Sequence, residues 1–186
     1  KRQVLVVRCL ECEQLPAELV HDVLVRLAVH CGRGGLGHID LLVALGATIV
    51  GTVSTPEKAD VAKAAGCHFP VVRSEKSFVE VVREVTDNEG CAVVYEAIGK
   101  DTLQASLDTL RPMGTCAAYG HVSGPPDPVD IIQDLGRRGS LFITRPAIMH
   151  YVAKRADLEW TARDLFKALG DQVIRANINY EYELKD

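Results

Sequence analysis

Four glycines in six residues, GRGGLG at positions 32–37, constrain this chain more than any other feature. They follow the apolar run VLVRLAVH (residues 23–30) and precede, one helix-length later, a second apolar run, ATIVGTV (47–53). Glycine lets a chain turn sharply out of a strand and approach an anion without Cβ interference, and the helix that follows aims free N–H groups and its positive end at that anion. Strand, glycine turn, helix and strand together make a βαβ unit suited to the pyrophosphate of a dinucleotide. At the end of the second strand an Asp or Glu would normally accept the ribose 2′-hydroxyl. This chain has Thr52, Val53, Ser54 and Thr55 there, with Lys58 just beyond. Small hydroxyls plus a cation suit a 2′-phosphate, so the expected cofactor is NADP(H) rather than NAD(H).

The rest of the chain alternates apolar runs with amphipathic stretches, the pattern of an α/β, Rossmann-like, doubly wound parallel sheet. After the first strand (23–30) come a helix at 36–45 closed by Gly46 and a strand at 48–53. Pro56 opens a helix that runs through Ala65 and that Gly66 ends. A strand at 68–72, a helix at 77–85 and a turn at 88–90 lead to a strand at 92–96. A helix over 102–110, stopped by Arg111 and Pro112, precedes a strand at 114–119. The Gly- and Pro-rich stretch 120–128 reads as a loop over the carboxyl edge of the sheet, where open α/β folds bind ligands. Beyond it lie a short helix at 129–135, an edge strand from Ser140 to Ile143, a long helix, continuous or interrupted, over 150–169 and a strand-like tail at 173–182. Residues 1–20 carry no domain assignment, with a strand at 4–7 and a short helix opened by Pro16 and Glu18 as their options. Residues 21–186 form one expected domain.

Bulk properties exclude several classes. The 186 residues suffice for one sizeable core. A net charge of -4 with no basic block leaves no footprint for nucleic acid, and Tyr95, Tyr119, Phe142 and Trp160 are too scattered for a base-stacking platform. No apolar run approaches the roughly 20 residues of a membrane span, and no signal peptide is visible, so a soluble cytoplasmic protein is expected. Most of the six cysteines sit inside apolar segments and are expected to be reduced thiols. Cys9 and Cys12 form a CxxC, half of a zinc site or a redox pair in other settings, but no second CxxC or His pair completes a tetrahedral set. No metal site is therefore expected. His30 and His68, beside apolar strands, are expected to be structural.

Longer stretches carry a more specific message. VHCGRGGLG, ALGATIVGTVSTPEKADVAKAAGCH, VVYEAIGKDTLQASLDTLRPMG, YGHVSG and RRGSLFITRP together resemble the zeta-crystallin-like NADPH:quinone oxidoreductases of the medium-chain dehydrogenase/reductase superfamily. The resemblance runs from about residue 23 to the end. It implies that the backbone of Gly34, Gly35, Leu36 and Gly37 holds the pyrophosphate and that Thr52 lies at the adenosine ribose. Lys58 takes the place of a 2′-phosphate lysine, and Arg73 that of a tyrosine that assists it; an arginine fork suits phosphate well. Ile98 and Gly99 are implied to lie under the nicotinamide, with Tyr119, His121 and Ser123 near it, and the main chain of Phe142, Ile143 and Thr144 at its carboxamide. Arg33 stands where the resembled family has a small residue, Ala92 and Glu96 where it has aspartates, and His121 where it has asparagine.

The implied activity is hydride transfer from NADPH to a quinone or enone with no zinc and no assigned catalytic side chain. The resembled family also carries a GroES-like substrate domain, which this sequence lacks, so the isolated chain is expected to turn over slowly or not at all. Two alternatives stand beside this one: a non-catalytic NADP-binding or interaction module, and the cofactor domain of an enoyl reductase. The resemblance further implies a homodimer paired through the Ser140 to Ile143 edge strand.

Overall fold

The computed structural model describes residues 4–9, 36–175, 181 and 183. Among these residues six strands form one sheet: β1 (Val4–Cys9), β2 (Ala47–Val53), β3 (Phe69–Val72), β4 (Cys91–Glu96), β5 (Leu110–Ala118) and β6 (Phe142–Thr144), in the spatial order β3-β2-β1-β4-β5-β6. Helices α1 (Leu36–Ala44), α2 (Pro56–Ala64), α3 (Phe78–Val85) and α4 (Leu103–Leu107) connect them, followed by a π-helical turn at Ile131–Gly136 and helices α5 (Ile148–Tyr151) and α6 (Arg155–Gly170). The expected strand at 23–30, the glycines at 32–35, the helix at Pro16 and most of the tail at 173–182 lie outside the described residues.

Both faces of the sheet are covered, as a doubly wound fold requires. On one face Ile49 and Val53 of β2, Val93 and Tyr95 of β4 and Ala117 of β5 pack with Ile39, Leu41 and Leu42 of α1. On the other, the alternate residues Val50, Val94 and Cys116 pack with Phe78, Val81 and Val82 of α3 and Leu103 and Leu107 of α4. Period-two alternation within each strand thus feeds two cores. Each fully buried aliphatic contributes about 1.5–3 kcal/mol relative to exposure, so these two layers supply most of the favourable folding energy. Three thiols, Cys67, Cys91 and Cys116, are buried and free. Burial pushes Cys67 up to about 11 and Cys91 and Cys116 up to about 12, so all three stay protonated and inert at neutral pH.

Local chemistry explains where elements stop. Proline at the start of α2 and Gly66 at φ 95° bracket that helix, and the Gly66 N–H donates to the Lys63 carbonyl at 2.9 Å. After α3 the Thr86 hydroxyl donates to the Val82 carbonyl at 2.7 Å and accepts from Gly90 N at 3.0 Å, which fixes the turn into β4. Helix α6 follows α5 after a short break, so the helix expected over 150–169, continuous or interrupted, is interrupted.

Three expectations need correction. The helix placed over 102–110 ends at Leu107, because the Thr109 carbonyl accepts from Cys91 N at 2.8 Å and Leu110 already pairs with Cys91 in the sheet. The edge strand is Phe142–Thr144, not Ser140 to Ile143: Ser140 has φ 57° and Leu141 is buried, its N–H on the Leu135 carbonyl at 3.1 Å. The third concerns the middle of the sheet. The sheet, expected to be parallel, has one antiparallel strand: β1 holds the slot between β2 and β4, with Val6 opposite Val50 on one side and Val94 on the other. VLVVRC is a β-branched run, and a slot with open ladders on both sides satisfies its backbone groups in either direction. The other five strands remain co-directional.

Candidate nucleotide site at the carboxyl edge

Because β2, β3, β4, β5 and β6 point the same way, their carboxyl ends line one edge of the sheet. Most of the sequence-derived candidates stand along that edge, in two groups.

The first group lies where β2 and β3 end. Val53 pairs with Val72, and the Arg73 N–H continues the ladder onto the Val53 carbonyl at 3.1 Å, which sets Arg73 beside the exit of β2. Lys58, in the first turn of α2, reaches back to the Ser54 hydroxyl at 2.7 Å. Two cations therefore flank a strand end that carries Ser54 and Thr55 and no carboxylate. The Arg73 Nε is buried and has no hydrogen-bond partner among the described residues. A buried donor without an acceptor is costly and rare, and a phosphate oxygen is the acceptor that suits a guanidinium best. The residues present thus fit a 2′-phosphate. Thr52, assigned to the ribose, is fully buried within β2, so the hydroxyls beyond it are the ones at the surface.

The second group is built around Glu96, the last residue of β4, which is fully buried. Its Oε1 accepts from the backbone N–H of Ile98 at 2.6 Å and of Gly99 at 3.0 Å, and from the Thr102 hydroxyl at 2.9 Å. Its Oε2 accepts from Thr102 at 3.0 Å and from the Ser106 hydroxyl at 2.5 Å. One side chain thereby folds the chain from β4 into α4 around itself. The loop after β5 closes onto this turn. Tyr119 N and Gly120 N donate to the Glu96 carbonyl at 3.0 and 3.2 Å, and both the N–H and the hydroxyl of Ser123 donate to the Ile98 carbonyl at 2.8 Å. Ser123 Oγ also accepts from Asp101 N at 3.1 Å.

Two glycines make this closure possible. Gly99 has φ 94°, and a Cβ there would stand 2.6 Å from the Gly124 carbonyl oxygen. A Cβ on Gly120 would stand 2.3 Å from the Ala97 carbonyl oxygen. The Ile98 side chain is buried in the core, so at the surface the turn offers backbone and Gly99. Beside it, Arg145 just past β6 donates to the Ala118 carbonyl at 2.7 Å and approaches His121 Nδ1 at 3.1 Å. In β6, Phe142 is exposed while Ile143 packs against the core. Leu36 and Gly37 open α1; Gly34 and Gly35 lie outside the described residues.

Sequence reasoning missed Thr102, Ser106 and Arg145 as parts of this edge and treated Glu96 merely as a departure. The signal was there: an acid closing an apolar strand, with hydroxyl residues six and ten positions later. His68, expected to be structural, accepts from Ile49 N at Nδ1 over 3.2 Å.

Residues 35–174 match the profile of the family described as zinc-binding dehydrogenase. The chain belongs to that family, within the medium-chain dehydrogenase/reductase superfamily. Among curated relatives, the 2-haloacrylate reductase of Burkholderia sp is 50% identical over 160 residues, covering 85% of this chain and 48% of that protein. The quinone oxidoreductase of Salmonella typhimurium is 38% identical over 161 residues, covering 84% and 49%. The chain thus spans about half the length of the curated relatives it matches. Among solved structures, a 2-haloacrylate reductase superposes with a TM-score of 0.78 at 43% identity, covering 84% of this chain and 54% of that one. The Escherichia coli quinone oxidoreductase complexed with NADPH superposes with a TM-score of 0.73 at 34% identity, covering 77% and 44%. Among the described residues no three His, Cys, Asp or Glu side chains group together as metal ligands, and no helix is long and apolar enough to cross a membrane.

Proposed function

We propose that this chain, from about residue 21 onward, is the NADPH-binding unit of a reductase that transfers hydride to an activated double bond or quinone. The observation that carries the proposal is the pair of cations at the end of β2: Lys58 on Ser54, and Arg73 with a buried Nε lacking a partner. Relatives named as quinone oxidoreductases and 2-haloacrylate reductase, one of them solved with NADPH, support the same conclusion. Their named substrates share one chemistry. A carbonyl or carboxyl conjugated to a double bond accepts hydride at carbon while charge builds on oxygen, and water then supplies the proton.

When bound, the reduced nicotinamide supplies the hydride. The chain's own residues orient it. Lys58 and Arg73 anchor the phosphate end, and the turn held by Glu96 presents Gly99 to the nicotinamide end, with Tyr119, His121 and Ser123 beside it. The main chain of Phe142, Ile143 and Thr144 borders the carboxamide position. Charge-assisted hydrogen bonds contribute about 1.5–3 kcal/mol each, so Lys58→Ala and Arg73→Ala should each weaken NADPH roughly 10- to 100-fold and leave NADH nearly unchanged. Calorimetric titration of the chain with both nucleotides checks this. Equal affinity for the two, or no response to either substitution, would overturn the proposal.

Among the described residues no strand pairs with the outer side of β6, and this edge, with Phe142 57% exposed on it, fits pairing with a second copy of the chain into a continuous sheet. Light scattering at micromolar concentration is expected to give twice the chain mass; a monomeric mass would count against the dimer.

A further inference from the structure

Arg145 makes a contact that packing alone does not account for. Its Nη1 donates to Ala118 O, at the end of β5, and its Nη2 stands 3.1 Å from His121 Nδ1. A guanidinium has donors and no acceptor, so Nδ1 must be the nitrogen without a proton. An imidazolium would set N–H against N–H. The neutral ring therefore carries its proton on Nε2, which has no partner among the described residues. The ring's backbone is fixed as well: Gly124 N donates to the His121 carbonyl at 3.0 Å, and the His121 Cα lies 2.8 Å from where a Cβ on Gly99 would sit. The imidazole thus rides on the loop that closes over Gly99, with one nitrogen engaged and the other free to donate.

We propose that Arg145 is a positioning residue that holds His121 as the Nε2–H tautomer, and that this Nε2–H donates to the acceptor oxygen on which charge builds. The proposal rests on the nucleotide function above and deepens it, because it requires an acceptor whose reacting double bond is conjugated to a carbonyl or carboxyl oxygen. A C–H bond forms at the electrophilic carbon with the electron pair from the reduced nicotinamide, and the π pair moves onto oxygen. The nicotinamide is oxidised by two electrons, the acceptor is reduced by two, and water delivers the final proton. His121 keeps its own proton throughout. A neutral imidazole stabilises an oxyanion by donating a hydrogen bond and has no need to become imidazolate.

Long-range proton–nitrogen correlation spectra of the 15N-labelled full chain test this, with His121→Asn assigning the signal. Expected is an unprotonated Nδ1 and a protonated Nε2, replaced in Arg145→Ala by an averaged signal and partly restored in Arg145→Lys. A protonated Nδ1, or a spectrum that Arg145→Ala leaves unchanged, would overturn the positioning role. In chain saturated with NADP+, as calorimetry establishes, added duroquinone should shift the Nε2–H resonance in the parent and not in Arg145→Ala. No shift in the saturated parent would overturn the donor role. Failure of NADP+ to bind would instead fell the nucleotide function and the donor role with it, while the tautomer spectrum still decides what Arg145 does.

Discussion

Glu96→Val is expected to destabilise the chain by roughly 3–5 kcal/mol, because it leaves two backbone N–H groups and two hydroxyls buried around an apolar side chain. Each unsatisfied buried donor costs about 1–3 kcal/mol, and the two hydroxyls recover part of that by rotating. At this chain length the midpoint should fall by roughly 10 °C. Glu96→Gln keeps one acceptor oxygen and offers its NH2 to a hydroxyl, so its loss should be about 1–2 kcal/mol. Urea unfolding followed by circular dichroism ranks the three proteins. Equal stability of parent and Glu96→Val would show that the carboxylate is not what folds this turn. Nucleotide affinity in the folded variants should fall alike for NADPH and NADH, since the damage is at the nicotinamide end, in contrast to the phosphate-selective losses from Lys58 and Arg73.

Gly120→Ala and Gly99→Ala should each cost about 2–4 kcal/mol, although neither removes a contact. At Gly120 the added methyl meets main-chain atoms of Ala97, its oxygen at 2.3 Å and its Cα at 2.7 Å, and backbone cannot swing aside as a side-chain tip can. At Gly99 the clash with the Gly124 carbonyl oxygen adds to the strain of a positive φ. Both force the loops after β4 and β5 apart. Gly170→Ala is the control: a Cβ there meets nothing within 4 Å, and the residue ends α6. It should be neutral or stabilising by up to about 1 kcal/mol. Thermal unfolding of the three variants decides the matter. If Gly120→Ala melts with Gly170→Ala, the two loops are not held together as described.

Sequence pattern revealed elements whose causes are local. Pro56 and Gly66 bracket α2, the adjacent valines Val93 and Val94 of β4 mark a strand buried on both faces, and the turn at 88–90 is bounded by Gly90 at φ 87°. Causes that lie far along the chain stayed hidden. Nothing near Thr109 says that its carbonyl belongs to Cys91 rather than to a helix, and nothing in VLVVRC says which way it runs. The site divides in the same way. The place of Lys58 beside Ser54 was legible because it depends on the few residues before it. The Glu96 hub was legible as a residue type and illegible as a centre, since its donors come from four later positions that only the turn into α4 brings together. Arg145 was missed because its partner lies 24 residues earlier, across an intervening loop.

The antiparallel β1 has a consequence for how the sheet is assembled. It is the seam between a two-stranded block, β3-β2, and a three-stranded block, β4-β5-β6. Its partner in the second block, Val94 opposite Val6, emerges about 90 residues later, roughly 4–18 s at ribosomal speeds of about 5–20 residues per second. Until then β1 and β2 can pair, while the far ladder of β1 stands open, and β4 later arrives with its own open ladder facing it. Such edges pair readily with other chains. Yield from slow synthesis or at high chain density is therefore set by how quickly this seam is sewn, and a chaperone that shields β-branched edges would act on Val4–Cys9 before the other five described strands.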